Sequence, residues 1–442
     1  MVTSFPMQKQ LTYPEIFRFF LPLVLNAQMM FLSMPIINLG LSRTAKPEIA
    51  IAAYSVGFYF LALLASPAIC SRNVSTAFLT DRQSFLFIRR LFFLCGLFVT
   101  ITALLIALTP LYRVVFLHIY GIPATLVEEV RRVLLITAPV GMVIAMRGVY
   151  QGVALVHKKP VIMAYATLVR LVAIAIIVFV AIVYLKLPGA SGGAISIVSG
   201  MSIEAVFVYL QVRGFFRSLP SEKDASSEDR ELLRLSQVLR FMAPLLVGMI
   251  VLTFLPTLIN GILSRISQPE MALAGFGVLY PILRFFTSPL LGFQVTTLVL
   301  FKSLGDLRKL TICVLGVSAV FSGMLFAIGY TPVGLYLLTD LFALDPELVA
   351  YATPALFILF IFPVVTGIRN HTQGILMNLK ATVAISVSAV SKALLLLGLG
   401  LLLISIFADI NGVVLGIVLI TLGEFCDDLF LGGAALQKIR QR

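Results

Sequence analysis

Charged side chains are scarce in this chain. Asp, Glu, Lys and Arg make up 12% of its 442 residues, against roughly 25% in a soluble domain. With 60% hydrophobic residues and a mean hydropathy of +1.05, no water-facing fold could hide so much apolar surface, so the solvent is lipid. Short alternating stretches of the membrane β-barrel kind are also missing. The apolar runs are long and unbroken, which leaves helices as the spanning elements. Cysteine is rare. Cys70, Cys95, Cys313 and Cys426 lie in or beside apolar stretches without metal-ligand spacing, so neither a metal module nor a disulfide framework is implied. There is no Walker loop, nucleophile elbow or cytoplasmic catalytic domain, which argues against an ATP-driven pump and against an enzyme; no cofactor or metal is expected. No removed leader is expected either, because residues 1–10 carry one Lys and the first apolar stretch is too long.

What the chain does have is repetition. Residues 16–67 read against 238–289 without a gap, at a shift of 222 positions. Arg18 meets Arg240, Pro22 meets Pro244, Ile37-Asn38 meets Ile259-Asn260, and Ser42-Arg43 meets Ser264-Arg265. The same shift pairs Arg147 with Arg369, Gln151-Gly152 with Gln373-Gly374, Lys158 with Lys380, and Arg170 with Lys392. After a slip of two residues, Gly192 meets Gly412 and Glu204 meets Glu424. Two hydrophobic copies of one half are the usual build of a transporter with its site between the copies.

The expected architecture is all-α and integral to the membrane: twelve helices in two six-helix lobes. The helices are expected near 13–41, 47–70, 87–110, 131–155, 160–185 and 190–213, then near 236–263, 269–301, 309–337, 347–378, 380–405 and 410–435. Residues 1–217 form the first lobe and 235–442 the second. Residues 218–234, rich in Ser, Asp, Glu and Lys, form a soluble linker. The formal net charge of +13 is read as topogenic rather than as a nucleic-acid signal. Lys9, Arg72, Arg82, Arg89, Arg90, Lys158, Lys159, Arg213 and Arg217 occupy alternate loops, and Lys302, Arg308, Lys309, Lys380, Lys438, Arg440 and Arg442 continue the series. Glu128, Glu129, Asp340, Asp345, Glu347 and Asp409 fall in the intervening loops, with Arg43, Lys46 and Arg265 as exceptions. This bias puts both termini in the cytoplasm, and the even span count relates the lobes by a pseudo-two-fold axis along the membrane normal.

A charge at mid-membrane costs at least ~2.5 kcal/mol, so each one needs a reason. Arg147 sits about nine residues, or ~14 Å, from the end of its helix; Arg369 lies at the same depth in the second copy, and Arg284 lies mid-way along helix 8. On a cleft these three would bind an anion, since the planar guanidinium fork grips carboxylate or phosphate and keeps its proton. They could instead pair with Glu204, Glu424, Asp427 or Asp428, or snorkel to the interface. Gln151 and Gln373 follow four residues after two of the arginines, on the same face, where they could orient a ligand. Gly152 and Gly374 beside them permit close approach of a ligand or a helix. Asn38 and Asn260, each followed by Ser-Arg, are read as a polar vestibule with Arg43 and Arg265, or as helix-end capping. Lys158 and Lys380 are gate candidates. His371 could titrate in a proton-coupled cycle or be satisfied by a neighbour. The four carboxylates either neutralise arginines or hold a coupling cation. Prolines such as Pro22, Pro244, Pro67, Pro289, Pro281 and Pro363 mark bends or fixed kinks.

Phe362 to Thr382, reading FPVVTGIRNHTQGILMNLKAT, resembles the corresponding segment of the progressive ankylosis (ANKH) family in its Phe-Pro, Arg, His, Gly and Leu-Lys-x-Thr spacing. Leu263-Ser264-Arg265, Tyr280-Pro281, and Ala52-Ala53-Tyr54 through Pro67 followed by Arg72-Asn73-Val74 are also similar to that family. The resemblance implies a place in the multidrug/oligosaccharidyl-lipid/polysaccharide exporter superfamily, with a MATE-like fold of two lobes. It implies efflux of phosphate- or carboxylate-bearing metabolites such as pyrophosphate, nucleotides or citrate, and it makes Arg369, His371 and Lys380 cleft or gate residues. The short loops and the absence of a long acidic tail suggest a prokaryotic member in a bacterial inner membrane.

The expected function is a secondary exporter of organic or phosphorylated anions working by alternating access, as a monomer among membrane lipid, with a proton or sodium as coupling ion. Alternatives are a flippase for a lipid-linked saccharide or lipid phosphate, and a cation-coupled drug antiporter. Helix 1 is read as offering only Asn26, Gln28 and Asn38, without an acidic residue for cation coupling, which counts against the antiporter.

Overall fold

The computed structural model describes residues 11–119, 122–187, 189–216, 233–342, 344–406 and 409–441. Lys9, Arg217, Arg442 and residues 218–232 of the expected linker lie outside these.

All regular structure among the described residues is helical, and the helices repeat. The first eight principal helices are α1 (Tyr13–Leu41), α2 (Pro47–Leu64), α3 (Ser71–Phe78), α4 (Arg82–Leu108), α5 (Ala124–Thr137), α6 (Val140–Val156), α7 (Val161–Phe179) and α8 (Gly189–Val212). The second eight are α9 (Leu235–Leu263), α10 (Pro269–Thr287), α11 (Gly292–Leu300), α12 (Leu304–Tyr330), α13 (Pro346–Leu356), α14 (Phe362–Asn378), α15 (Val383–Ile406) and α16 (Gly412–Arg440). Each helix of the second series matches the one eight places earlier.

Among the described residues, nine helical stretches are long and apolar enough to cross a membrane, and two bent pairs add two more. The twelfth span is α16. Its 29 residues are ample length, and the three carboxylates Glu424, Asp427 and Asp428 lower its apolarity. Several of the expected continuous helices are in fact interrupted, three of them with a proline just after the break. The α2 span turns by 65° around Ala65 and the α13–α14 span by 41°, while Ser288–Leu291 tightens to a 3-10 turn between α10 and α11. Pro67, Pro289 and Pro363 stand in the first turn after each break, where a missing N–H costs nothing. Pro22 and Pro244 lie within α1 and α9 and do not end them.

Local chemistry sets the boundaries. The third span starts at Arg82, earlier than hydropathy suggests, because Asp81 forms a capping box with Ser84 (Ser84 N donates to Asp81 Oδ1 at 2.7 Å). The second copy builds the same box with the residues exchanged, Ser303 capping and Asp306 reaching back. The wide π turns Val114–Ile119 and Leu337–Leu341 also recur at matching places.

The chain divides into two compact units. One comprises Leu25–Met242; the other comprises the described residues up to Val24 together with Ala243 onward. Both α1 and α9 therefore give residues to each unit. In the C-terminal unit the start of the chain is pinned to α12: Lys309 Nζ donates to the Leu11 carbonyl at 2.8 Å, and Leu11 N donates to Asp306 Oδ1 at 3.2 Å. Phe20 stacks on Phe293 with ring centroids 4.0 Å apart. Large apolar side chains such as Phe98, Leu108, Tyr184 and Leu394 point outward. The polar side chains described next point inward, the reverse of a soluble fold.

Candidate functional site

In the N-terminal unit the polar interior is organised by one carboxylate. Glu204 on α8 is 1% exposed. Its Oε2 accepts from Arg147 Nη1 on α6 at 2.6 Å and from Arg170 Nη1 on α7 at 3.0 Å, and its Oε1 accepts from Gln151 Nε2 at 3.3 Å. Arg170 Nη2 donates to Ser33 Oγ on α1 at 3.2 Å, and Thr167 Oγ1 donates to Asn26 Oδ1 at 2.5 Å. One glutamate thus ties α1, α6, α7 and α8 together. Lipid gives helices no hydrophobic reason to associate, so such hydrogen bonds and close packing must do it. Arg72 on α3 acts electrostatically on both Arg147 and Glu204. Two guanidinium groups therefore share one carboxylate, with the half-buried Arg72 as a third cation near them, a formal excess of two positive charges among these four side chains.

The C-terminal unit repeats the scaffold with different chemistry. Arg369 Nη1 on α14 donates to Glu424 Oε1 at 2.9 Å, and Lys392 Nζ on α15, in the place of Arg170, donates to the same oxygen at 3.3 Å. Lys392 also reaches Asp427 Oδ2 at 3.1 Å, and Ser388 Oγ donates to Asp427 Oδ1. Asp427 and Asp428 replace Phe207 and Val208 of the first copy. The half-buried Arg284 on α10 adds a third cation that acts on Glu424. Arg284, Arg369 and Lys392 thus balance Glu424, Asp427 and Asp428, three against three. The balance is not matched by hydrogen bonds: Glu424 Oε2 and both Asp428 carboxylate oxygens are buried without a partner.

The expected triad of equivalent anion-gripping arginines is therefore not what the side chains build. Arg147 and Arg369 are each held by a carboxylate in their own unit, and Arg284, with no counterpart in the first copy (Ala62), is not. Gln151 and Gln373 are also engaged, the first on Glu204 and the second accepting from Gln294 Nε2 at 3.0 Å. Gly152 and Gly374 admit helices. Gly152 packs on Ser75 of α3, and a Cβ at Gly374 would lie 2.5 Å from the Gln294 carbonyl oxygen of α11. His371 sits between two hydroxyls, its Nδ1 2.7 Å from Thr297 Oγ1 and its Nε2 3.1 Å from Thr311 Oγ1, so both ring nitrogens are satisfied. Asn38 and Asn260 lie in the last turns of α1 and α9, where their carbonyls accept from Ser42 N and Ser264 N. Asn260, Arg43, Arg265, Lys158 and Lys380 are exposed. Lys158 and Lys380 each adopt φ 56 just after a helix end, the left-handed conformation that ordinarily selects Gly. The first turn of α1 does carry an acid, Glu15, whose Oε2 accepts from Thr12 N at 3.0 Å.

Sequence reasoning overlooked Arg170 and Lys392 as members of the site, although a basic residue at matching mid-helix positions of two apolar spans was a visible signal. Arg72 was read as a loop charge, because the break before α3 that turns it inward is not written in hydropathy.

The sequence profile of the progressive ankylosis protein (ANKH) family matches residues 3–228 and again 227–428, one match per copy. The chain belongs to the progressive ankylosis family. The fold is that of MATE transporters. An outward-facing structure of a multidrug resistance MATE family transporter of the MOP superfamily superimposes with a TM-score of 0.78 at 16% identity, covering 97% of this chain and 96% of that one. A Vibrio cholerae MATE transporter gives 0.73 at 15% identity over 97% of both chains. A Pyrococcus furiosus transporter of the same superfamily, described as having a binding pocket of reversed polarity, gives 0.71 at 16% identity, over 97% of this chain and 95% of that one. This member of the progressive ankylosis family thus has a MATE-like fold built of apolar, membrane-spanning helices.

Proposed function

We propose that the chain is a secondary exporter of organic or phosphorylated anions, of the pyrophosphate, nucleotide or citrate class, working by alternating access with both termini in the cytoplasm. The observation that carries this reading is the surplus of buried and half-buried guanidinium in the N-terminal unit. Arg72, Arg147 and Arg170 outnumber Glu204, and a buried cation without a counter-ion is costly unless a ligand supplies the missing negative charge. Membership of the progressive ankylosis family supports the same reading. Within the C-terminal unit, Arg284, which is not hydrogen-bonded to a carboxylate among the described residues, is the cation proposed to meet an anion. Gln151, Gln373, Asn38 and Asn260 are orienting residues, Arg43, Arg265, Lys158 and Lys380 sit at the two ends of the path, and His371 orients α11 and α12.

The coupling ion is a proton on the C-terminal unit. Asp428 offers two buried oxygens without a donor, and protonation would give one of them a hydrogen to donate. The test is efflux of labelled citrate and pyrophosphate from proteoliposomes under an imposed pH gradient. Arg147→Gln and Arg284→Gln should each lower efflux at least about tenfold, the worth of one charge-assisted contact. Asp428→Asn should leave anion exchange intact and abolish its response to the gradient. Unchanged efflux in both arginine variants would retire the site.

A further inference from the structure

A second concentration of positive charge lies away from this interior, within the N-terminal unit and at the end of α1 opposite the chain start. There a cavity of 780 Å³ opens between the α1–α2 loop and the first turns of α2, α5 and α8. Arg43, Lys46 and Lys186 line it, together with Thr44, Thr125 and Glu129. The one carboxylate among these is spoken for: Glu129 Oε1 accepts from Arg132 Nη1 at 3.0 Å. None of the three cations has an ion-pair partner among the described residues.

Three further facts separate this from an ordinary solvated surface. First, α5 starts without a side-chain cap, and α5 and α8 have no acid in the first turn, so their positive dipole ends face the cavity. Second, the charges run against the topogenic pattern. They stand at the opposite end of the spans from the arginine- and lysine-rich loops around Arg89 and Lys159, where membrane helices normally carry few basic residues. Third, the second copy does not keep them. Arg265 matches Arg43, but Gln268 stands where Lys46 does, and neither shift of the repeat finds a basic residue opposite Lys186. The cluster is a property of one copy, not an inherited feature of the fold.

The geometry points to a second anion site here, for a polyvalent phosphate or polycarboxylate group. The volume falls within the ~300–1,000 Å³ typical of small-ligand pockets, and the starts of α5 and α8 turn their N-termini toward it as phosphate sites do. The group can come from a free anion or from an anionic lipid headgroup. Its occupant ties the α1–α2 loop to the starts of α5 and α8. The inference stands on its own whatever the transported substrate is.

The chain contains no tryptophan, so Leu187→Trp, at the cavity wall, places a single fluorophore at the site. The purified full chain is titrated with inorganic pyrophosphate in detergent, and separately in nanodiscs of neutral lipid with increasing phosphatidylglycerol. A saturable emission change is expected, weakened about tenfold or more when Arg43→Gln, Lys46→Gln and Lys186→Gln are combined and restored by Lys46→Arg with the other two positions native. Response to pyrophosphate assigns a free anion; response to phosphatidylglycerol alone assigns a headgroup; both support the site. Arg284→Gln should titrate normally, which separates this cavity from the anion contact proposed at Arg284. The proposal falls if neither probe gives saturation, if the triple variant titrates like its parent, or if Arg284→Gln removes the signal.

Discussion

At the scale of the residue, the decisive feature is how few carboxylates hold how many cations. Glu204 accepts three hydrogen bonds, two of them from guanidinium groups. Removing it strands two buried cations, whereas removing Arg147 leaves Glu204 with Arg170 and Gln151. Glu204→Gln should therefore cost about 3–5 kcal/mol of stability, and Arg147→Gln only about 1.5–3 kcal/mol. Thermal unfolding of the detergent-solubilised protein checks the order; equal losses would mean that the two bonds to Glu204 Oε2 are not shared as drawn. Individual charges were legible in the sequence, because any charge deep in a hydrophobic span stands out. Their partners were not. The spacing that brings Arg170 to Glu204 and Lys392 to Asp427 exists only once α7 packs on α8 and α15 on α16.

At the scale of the element, hydropathy located every span but not the interruptions. The bends at Ala65 and before α14 are marked instead by Pro67 and Pro363 just after them, while apolar residues continue straight through both. The lysines after α6 and α14 show another signal that composition hides. Both hold a left-handed backbone, a strain of about 1–3 kcal/mol where Gly would have little. Their recurrence in both copies argues that the charge is kept for use. Lys158→Gly and Lys380→Gly should each raise stability by about 1 kcal/mol while lowering efflux, and arginine at either position should retain efflux. A glycine variant that transports normally would reduce these lysines to helix-end charge. Gly374→Ala should act oppositely, costing about 1–3 kcal/mol as α11 is pushed off α14, measurable in the same unfolding assay.

At the scale of the whole molecule, duplication explains the architecture and divergence explains the chemistry. The internal repeat was plain in the sequence, down to matched termini for α1 and α9. What the repeat concealed is that one unit came to hold surplus arginine and the other extra aspartate, since the first copy has apolar Phe207 and Val208 where the second has Asp427 and Asp428. Orientation belongs to this scale as well. A cysteine in place of Lys186 should react with an impermeant maleimide in intact cells and one in place of Lys159 only after permeabilisation, against a low background from four native cysteines that are buried or half-buried. The most direct test of the account is flux through the unmodified protein. Proteoliposomes should take up labelled citrate, pyrophosphate or a nucleotide saturably, and should not move a cationic dye or a fluorescent lipid. Movement of the dye or the lipid without any anion flux would contradict it.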